Sequence, residues 1–569
     1  MKRPNFLIIL VDEQRYPPIY ENEEIRTWRK TQLSSQDFLR QHGLEFYNHY
    51  VGSTACSPSR GTLYTGQYQS LHGVSQTPGT AKKNFDPDVF WLDPNTVPTI
   101  GDYLRVNSYN TYWRGKWHVS QPDILIPNTH DSLLSYDKLT GVPDINKTDM
   151  YKNSNKLHQY GFDGWIGPEP FGINPHNTGS SCAGDMYGRD SVYEKEVSDL
   201  INELNNKHQK HPWAIVASFV NPHDIAFYGE VSRLLPEYDF KINPCVPYIP
   251  PAPTANEDLN TKPRAQKSYK DVFQKSFQPT IDTEEYRKLY YSLELQVDKE
   301  IGKVLDALVK SKFYENTIII FTSDHGELLG AHGLFQKWYN AYEETIHVPL
   351  IIHNPRLFPK RRCTEFLTSH IDILPTILGL ANINKEKTLK ILKKDHIEVQ
   401  PLVGTDLTPL LLGGCKQIQQ EPLYFMTDDN VTKGLNQITL LGKSYTSVIS
   451  PNNIETVITY LDTGKNGTKE KWKLIKYYDN DQFWTSPGVS DKNLIKTVNE
   501  DFGLVSYFSI KTEPDEAEYE MYNVTRDPLE TFNISNNSQQ DPKLTKIKED
   551  LIILLYEQRK MKRLYPVVK

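Results

Sequence analysis

Four short, unbroken apolar runs constrain the fold of this chain more than any other feature. They are NFLIILV (5–11), WAIVASFV (213–220), TIIIFTSD (317–324) and PLIIHNP (349–355). Runs of this length without polar alternation predict strands covered on both faces, as in a parallel sheet with helices above and below it. Helical patterns lie between and after them. TQLSSQDFLRQHG (31–43) has one apolar face and a glycine stop, EEYRKLYYSLELQVDKEIGKVLDALVKS (284–311) is long and amphipathic, and HIDILPTILGL (370–380) is a third. Strands alternating with helices predict an α/β fold, a mostly parallel central sheet sandwiched by helices. In such sheets ligands gather at the ends of the strands, so the polar residues that close each run are of most interest.

The pattern changes near residue 415. LTPLLLGG (407–414) ends a helix with two glycines. EPLYFMTDD, ETVITYLDT, EKWKLIKYYDND and AEYEMYNVT then follow as aromatic, partly alternating segments of an antiparallel sheet, and TKIKEDLIILLYEQRKMKR (545–563) closes the chain as a helix. The expected division is a catalytic domain at 1–415 and a smaller antiparallel α+β subdomain at 416–569. Residues 121–160 and 229–283, rich in Pro, Asn, Asp and Lys, read as long surface loops. No internal repeat is seen.

With 38% hydrophobic and 24% charged residues, the chain has a globular balance. A net charge of −7 gives no reason to expect nucleic acid or an anionic membrane as partner, so any anionic substrate must meet a local cluster of cations. The five cysteines (56, 182, 245, 363 and 415) are odd in number and scattered, which is not a disulfide framework. MKRPNFLIILVDEQR has the outline of a signal peptide, but its apolar run is short and flows into Asp12 and Glu13, so it reads as the first strand. No run approaches the ~18 apolar residues of a membrane span. A cytoplasmic location is therefore expected, and the N-x-S/T sequons read as chance.

Two acidic pairs end buried runs. Asp12 and Glu13 follow the first, and Asp324 and His325 follow TIIIFTS. Singly, such residues cap helices or form turns. Together, on neighbouring strands, buried carboxylates repel one another and call for a hard cation such as calcium, magnesium or manganese. Cys56 lies in GSTACSPSRGTLYTG. A lone cysteine is ordinarily a small buried apolar residue, but Pro58, Ser59, Arg60, Thr65 and Gly66 stand at fixed offsets from it.

C-x-P-S-R followed by T-G resembles the signature of type I sulfatases, in the alkaline phosphatase superfamily. The resemblance implies that a formylglycine-generating or equivalent maturation enzyme oxidises Cys56 to formylglycine (3-oxoalanine). It extends along most of the chain. Asp12 and Glu13 match the family's first metal-binding carboxylates. RGKWHVS (114–120) implies Lys116 and His118, and NPHDI (221–225) implies His223. TSDHGELLGAHGLFQK (322–337) implies Asp324 and His325 on the metal and Lys337 at the ester. SHIDILPTILGLA (369–381) and EMYNVTRDPLETFNIS (520–535) are similar to segments that follow the site in the family. Two departures stand out: Glu13 is one methylene longer than the common aspartate, and His325 replaces the asparagine of many arylsulfatases. Members that cleave choline sulfate or phosphonate monoesters share that histidine, which leaves the metal and the ester class open.

The implied activity is hydrolysis of a small-molecule sulfate monoester with one divalent metal, calcium first and manganese or magnesium as alternatives. Asp12, Glu13, Asp324, His325 and residue 56 would hold the metal. A hydroxyl of hydrated formylglycine would attack sulfur to give a covalent sulfo-enzyme, and His118 or His223 would protonate the leaving alcohol. Arg60, Lys116 and Lys337 would supply positive charge, Lys337 acting on the ester and not on folding. Outside the family context, Lys116 reads as a surface lysine, His118 as a packing residue and His223 as a turn cap. Tyr112, Trp91 and Trp113 read either as an aromatic substrate wall or as core. Two other functions compete: a phosphonate monoester or phosphodiester hydrolase on the same scaffold, and a non-catalytic binding protein with unconverted Cys56. The sequence does not specify the natural substrate or the oligomeric state.

Overall fold

The computed structural model describes residues 3–171, 175–179, 187–413, 419–483, 493–499, 504–510, 513–536 and 541–567. Its centre is one seven-stranded sheet of β1 (Asn5–Asp12), β2 (Gly43–Tyr50), β3 (Asn110–Gly115), β4 (Trp213–Pro222), β5 (Thr317–Ser323), β6 (Leu350–His353) and β7 (Arg362–Ser369). The strand order is β3-β4-β1-β5-β6-β2-β7. β1 is parallel to β4 and β5, β3 to β4, and β2 to β7, while β6 runs against both β5 and β2.

The four apolar runs form β1, β4, β5 and β6, and every residue of those strands is buried. Successive side chains of β1 point to opposite faces. Phe6, Ile8 and Leu10 pack with Tyr64, Trp113 and Ile373 on one side. Leu7, Ile9 and Val11 pack on the other with Val197, Ile201, Ile301 and Val304, which belong to the helices Arg189–Asn206 and Glu284–Val309. Each such side chain, fully buried, contributes roughly 1.5–3 kcal/mol, so placing a charge in any of the four runs would be severe.

The long insertions are not simple loops. Segment 229–283 carries the helix Arg264–Ser276, which buries Tyr269, Val272 and Phe273, and 121–160 carries Ile145–Ser154, which buries Tyr151. Their polar composition reflects a solvated face and hides the apolar one. The helix expected at 31–43 is the shorter Ser34–Gln41, preceded across Leu33 by a separate helix, Glu23–Gln32, and Gly43, the expected stop, opens β2.

Beyond the central sheet lie β8 (Leu423–Thr427), β9 (Asn453–Leu461), β10 (Glu470–Tyr478), β11 (Asn493–Asn499), β12 (Leu504–Ile510) and β13 (Glu518–Asn523). Four of them form an antiparallel sheet in the order β13-β10-β9-β8, and β11 pairs with β12 separately. The closing helix Pro542–Lys562 buries Leu551 and Leu555 against Met426, Val457, Trp472 and Leu474. The expected division at 415/416 falls in 414–418, outside the described residues. One apolar cluster joins both parts, with Phe425, Tyr477 and Tyr522 in the same core as Leu334, Trp338 and Tyr342. The Met426 N–H also donates to the Gly52 carbonyl (3.1 Å), tying β8 to the segment before Cys56. Among the described residues no helix is long and apolar enough to cross a membrane.

Candidate active site

Strand register assembles the site at the carboxyl ends of the central strands. Val11 pairs with Ser323, so Asp12 and Asp324 emerge side by side. Asp12 pairs with Pro222, which puts His223 next to Glu13. On β3 and β4, Gly115 pairs with Ser218 so closely that a Cβ on Gly115 would lie 1.9 Å from the Ser218 carbonyl oxygen. That contact requires glycine just before Lys116.

Cys56 is the first residue of a helix, Cys56–Thr65, that is buried along its whole length. Pro58 is tolerated in its first turn because no intrahelical partner is lost there, and Gly66 ends it in the left-handed conformation (φ 63°). The positive end of the helix dipole thus lies at Cys56. One turn on, Arg60 is fully buried and connects the two acidic strand ends. Its Nε donates to Asp324 Oδ2 (2.8 Å), Nη2 to Asp12 Oδ2 (2.8 Å) and Nη1 to Ser218 Oγ (2.9 Å) and the Lys116 carbonyl (3.1 Å).

The cluster around Cys56 is dense. Its Sγ lies 3.1 Å from His325 Nε2 and 3.7 Å from Asp12 Oδ1. His325 Nε2 is 3.7 Å from Asp12 Oδ1 and 3.6 Å from Asp324 Oδ1. Its Nδ1 faces the Gly326 carbonyl at 2.9 Å, which orients the ring. Lys116 Nζ donates to Asp12 Oδ2 (2.7 Å), and Lys337 Nζ to Glu13 Oε2 (2.6 Å).

These residues fit a divalent cation. One donor atom each from Asp12, Cys56, Asp324 and His325 lies within 4.8 Å of the others, and Asp12, Glu13 and His223 make a second such group. Carboxylate oxygens with one imidazole suit calcium, magnesium or manganese. Glu13 Oε1 is buried without a hydrogen-bond partner, as a ligand atom is before its ion binds.

Electrostatics follow from burial and close charges. Burial raises the Asp12 carboxyl, but Lys116 and Arg60 outweigh it and hold Asp12 well below the usual range. Burial pushes Glu13 well above its ordinary value despite Lys337. Burial, then Asp12, pushes the Cys56 thiol up to about 12, so without a bound cation it is a thiol at neutral pH. Burial and then Lys116 hold both His118 and His223 well below the ordinary imidazole value, so each rests neutral and can accept a proton.

The structure thus brings Asp12, Cys56, Arg60, Lys116, Asp324 and His325 into direct contact, with Lys337 joined through Glu13. His118 stands further out, its Nδ1 3.4 Å from Ser57 Oγ, and His223 Nδ1 is buried without a partner. Glu13 and His118 hold left-handed backbone conformations (φ 73° and 66°), a strain that clusters at functional sites. Lys337 is 1% exposed and ion-paired with Glu13, a burial that the expectation of a role at the ester alone did not include. Trp113 is core, edge-on to Tyr64, Trp117 and Phe162, and half-buried Tyr112 packs on the opposite face. Trp91 meets Phe171 near His118. Sequence reasoning missed Ser218, Glu169 and Asp429. Glu169 accepts the backbone N–H groups of Trp117 and His118, and Asp429 accepts those of Ala55 and Thr77. Among the described residues Cys56, Cys245 and Cys363 are free.

The family model described as Sulfatase matches residues 4–383. The sulfatase YidJ of Escherichia coli is 28% identical over 396 residues, covering 68% of this chain and 70% of its own length. The choline-sulfatase of Rhizobium meliloti is 26% identical over 441 residues, covering 74% and 76%. The structure of the phosphonate monoester hydrolase of Agrobacterium radiobacter aligns over 98% of this chain and 96% of its own, with a TM-score of 0.58 and 19% identity, so it shares the fold. A match over most of the chain, with a buried cysteine, two strand-end carboxylates and three cations converging at the sheet's carboxyl edge, settles the family: the chain is a sulfatase enzyme of the Sulfatase family.

Proposed function

We propose that this chain hydrolyses sulfate monoesters, with Cys56 converted to formylglycine and one divalent cation, calcium, held by Asp12, Asp324, His325 and residue 56, with Glu13 beside them. The observation that carries the reading is the convergence of Arg60, Lys116 and Lys337 on a buried carboxylate cluster at the nucleophile position. With all three carboxylates ionised, those cations balance them, and a divalent ion then leaves the centre at about +2. That charge suits a monoanionic ester and an anionic nucleophile, which an acidic chain would otherwise repel.

Bound cation would supply Lewis-acid charge to the ester oxygens and lower the pKa of the attacking hydroxyl. Hydrated formylglycine would supply two hydroxyls, one to attack sulfur and one to expel sulfate. The chain's own residues do the rest. Lys116 and Arg60 fix the Asp12 carboxylate, and Arg60 holds Asp324 against it. Lys337, steadied by Glu13, places an ammonium beside the ester. His118 and His223, both neutral at rest, take the proton of a hydroxyl and return one to the leaving alcohol.

A phosphonate monoester or phosphodiester activity on the same residues is the second reading, favoured by His325 at 3.1 Å from Cys56 Sγ. A parallel screen of matched aryl sulfates and aryl phosphonates, run on protein whose Cys56 peptide shows the aldehyde by mass, tests both. Faster turnover of the sulfates supports the proposal. Preference for the phosphonates replaces it with the second reading. Cys56 left unconverted in protein from its own host, together with ester binding and no turnover, would support a non-catalytic role.

A further inference from the structure

Residues 169–171 meet the histidine loop at two points. The Glu169 carboxyl is 1% exposed. Its Oε1 accepts from the Trp117 N–H (3.0 Å) and the His118 N–H (3.1 Å). Two residues on, the Phe171 ring lies 4.9 Å from the His118 imidazole, centroid to centroid. The Phe171 N–H donates to the Glu169 carbonyl (2.9 Å), so both contacts come from one tight turn. Outside this turn, Asp123 Oδ1 accepts the Glu169 N–H (2.9 Å) and Asn177 Nδ2 donates to the Glu169 carbonyl (2.8 Å), which anchors it to the insertion that follows β3.

His118 needs such a holder. Its backbone is left-handed (φ 66°), a conformation a residue with a Cβ keeps only when its surroundings impose it. Two amide donors aimed at one carboxyl impose it from the backbone side, and the phenyl ring limits rotation of the imidazole. The imidazole then faces Ser57 Oγ at 3.4 Å, next to Cys56.

From this geometry we infer that Glu169 is a positioning residue for His118, acting with Phe171 as a clamp that aims the imidazole at residue 56 and the ester. The inference rests on the sulfatase reading above. It also gives the insertion around Asp123 a means to affect turnover without touching substrate.

The test uses full-length, converted, metal-loaded enzyme and an aryl sulfate. Glu169→Ala should lower kcat by about a hundredfold with KM little changed, since a misplacement of about 1 Å is enough for that. Glu169→Gln keeps an acceptor oxygen and should recover most of the rate. His118→Ala should lose at least as much as Glu169→Ala, and the double variant should be no slower than His118→Ala alone, because the clamp has no other target. Phe171→Ala, tested the same way, should also lose nothing further in the His118→Ala background, and serves if Glu169→Ala does not fold. Losses that multiply in the double variants, or a Gln variant as slow as the Ala variant, would overturn the clamp. A wild-type enzyme inactive on every sulfate and phosphonate ester removes the reaction reading, and the clamp with it. An active wild type with multiplying losses removes the clamp alone.

Discussion

Lys337→Ala bears on both catalysis and stability, because the proposed mechanism puts this lysine at the ester and the structure pairs it with Glu13 in the interior. Its ammonium is 1% exposed and donates to Glu13 Oε2 at 2.6 Å, while Glu13 Oε1 has no other partner. Removing one member of a buried pair costs up to about 3–5 kcal/mol, less where the partner left behind takes a proton, as burial already inclines Glu13 to do. A bound divalent cation beside Glu13 would offset part of that. The metal-free variant should therefore lose up to about 3 kcal/mol relative to metal-free wild type, and the metal-loaded variant distinctly less. Urea denaturation with and without chelator reads both as shifts in midpoint at constant slope.

Turnover should fall by about two to three orders of magnitude in either case, the usual effect of losing a transition-state donor. A second substitution isolates the two roles. Glu13→Gln in the Lys337→Ala background removes the stranded charge, so it should restore part of the stability and leave turnover low. Metal-free Lys337→Ala as stable as wild type would refute the pairing argument. Recovery of turnover together with stability would refute a direct role for the ammonium at the ester.

Three further outcomes follow from the same contacts. Elemental analysis should find about one divalent ion per chain, and complete chelation should abolish activity; full activity without metal would refute the metal site. Arg60→Lys should fold poorly or lose metal, because one ammonium cannot reproduce the bonds Arg60 makes to Asp12, Asp324 and Ser218 at once, and a soluble, fully metal-loaded variant would contradict this. Cys56→Ser has one hydroxyl where hydrated formylglycine has two, so incubation with an aryl sulfate should leave a sulfate ester on residue 56, visible by intact mass, and then arrest, while Cys56→Ala should show neither turnover nor adduct; sustained turnover by the serine variant would rule out expulsion by a second hydroxyl.

Much of the fold was legible because the interior of a parallel sheet permits so little variety. β1, β4, β5 and β6 are buried on both faces, and their uninterrupted apolar runs say so directly. β2, β3 and β7 have no such run. GLEFYNHY, NTYWRG and RCTEFLTS mix polar and aromatic residues, two of these strands close the edges of the sheet, and their pairing is set by neighbours distant in sequence. The helix Arg264–Ser276 escaped notice because Arg264, Lys267, Asp271 and Lys275 occupy its solvated face, opposite Tyr269, Val272 and Phe273.

The site divides in the same way, between what a residue type announces and what only geometry decides. Asp12, Asp324 and His325 end buried runs, where a carboxylate or imidazole needs a reason to be, and Cys56 lies in a motif whose offsets match one turn of helix, from Cys56 to Arg60. Glu169 and Asp429 act through backbone amides, which every residue carries, so no spacing of side chains could reveal them. Lys337 was legible as a cation near the ester but not as the partner of Glu13. That pairing depends on a loop in which Leu329, His332 and Gln336 all take left-handed conformations, bringing the lysine back over the strand end. Because the loop's path costs backbone strain at several non-glycine positions, the ion pair at its end is part of what holds it closed. Losing the lysine should therefore both strand Glu13 and loosen the segment that delivers the ammonium, and the Glu13→Gln combination relieves the first effect alone, so it should recover part of the stability and none of the turnover.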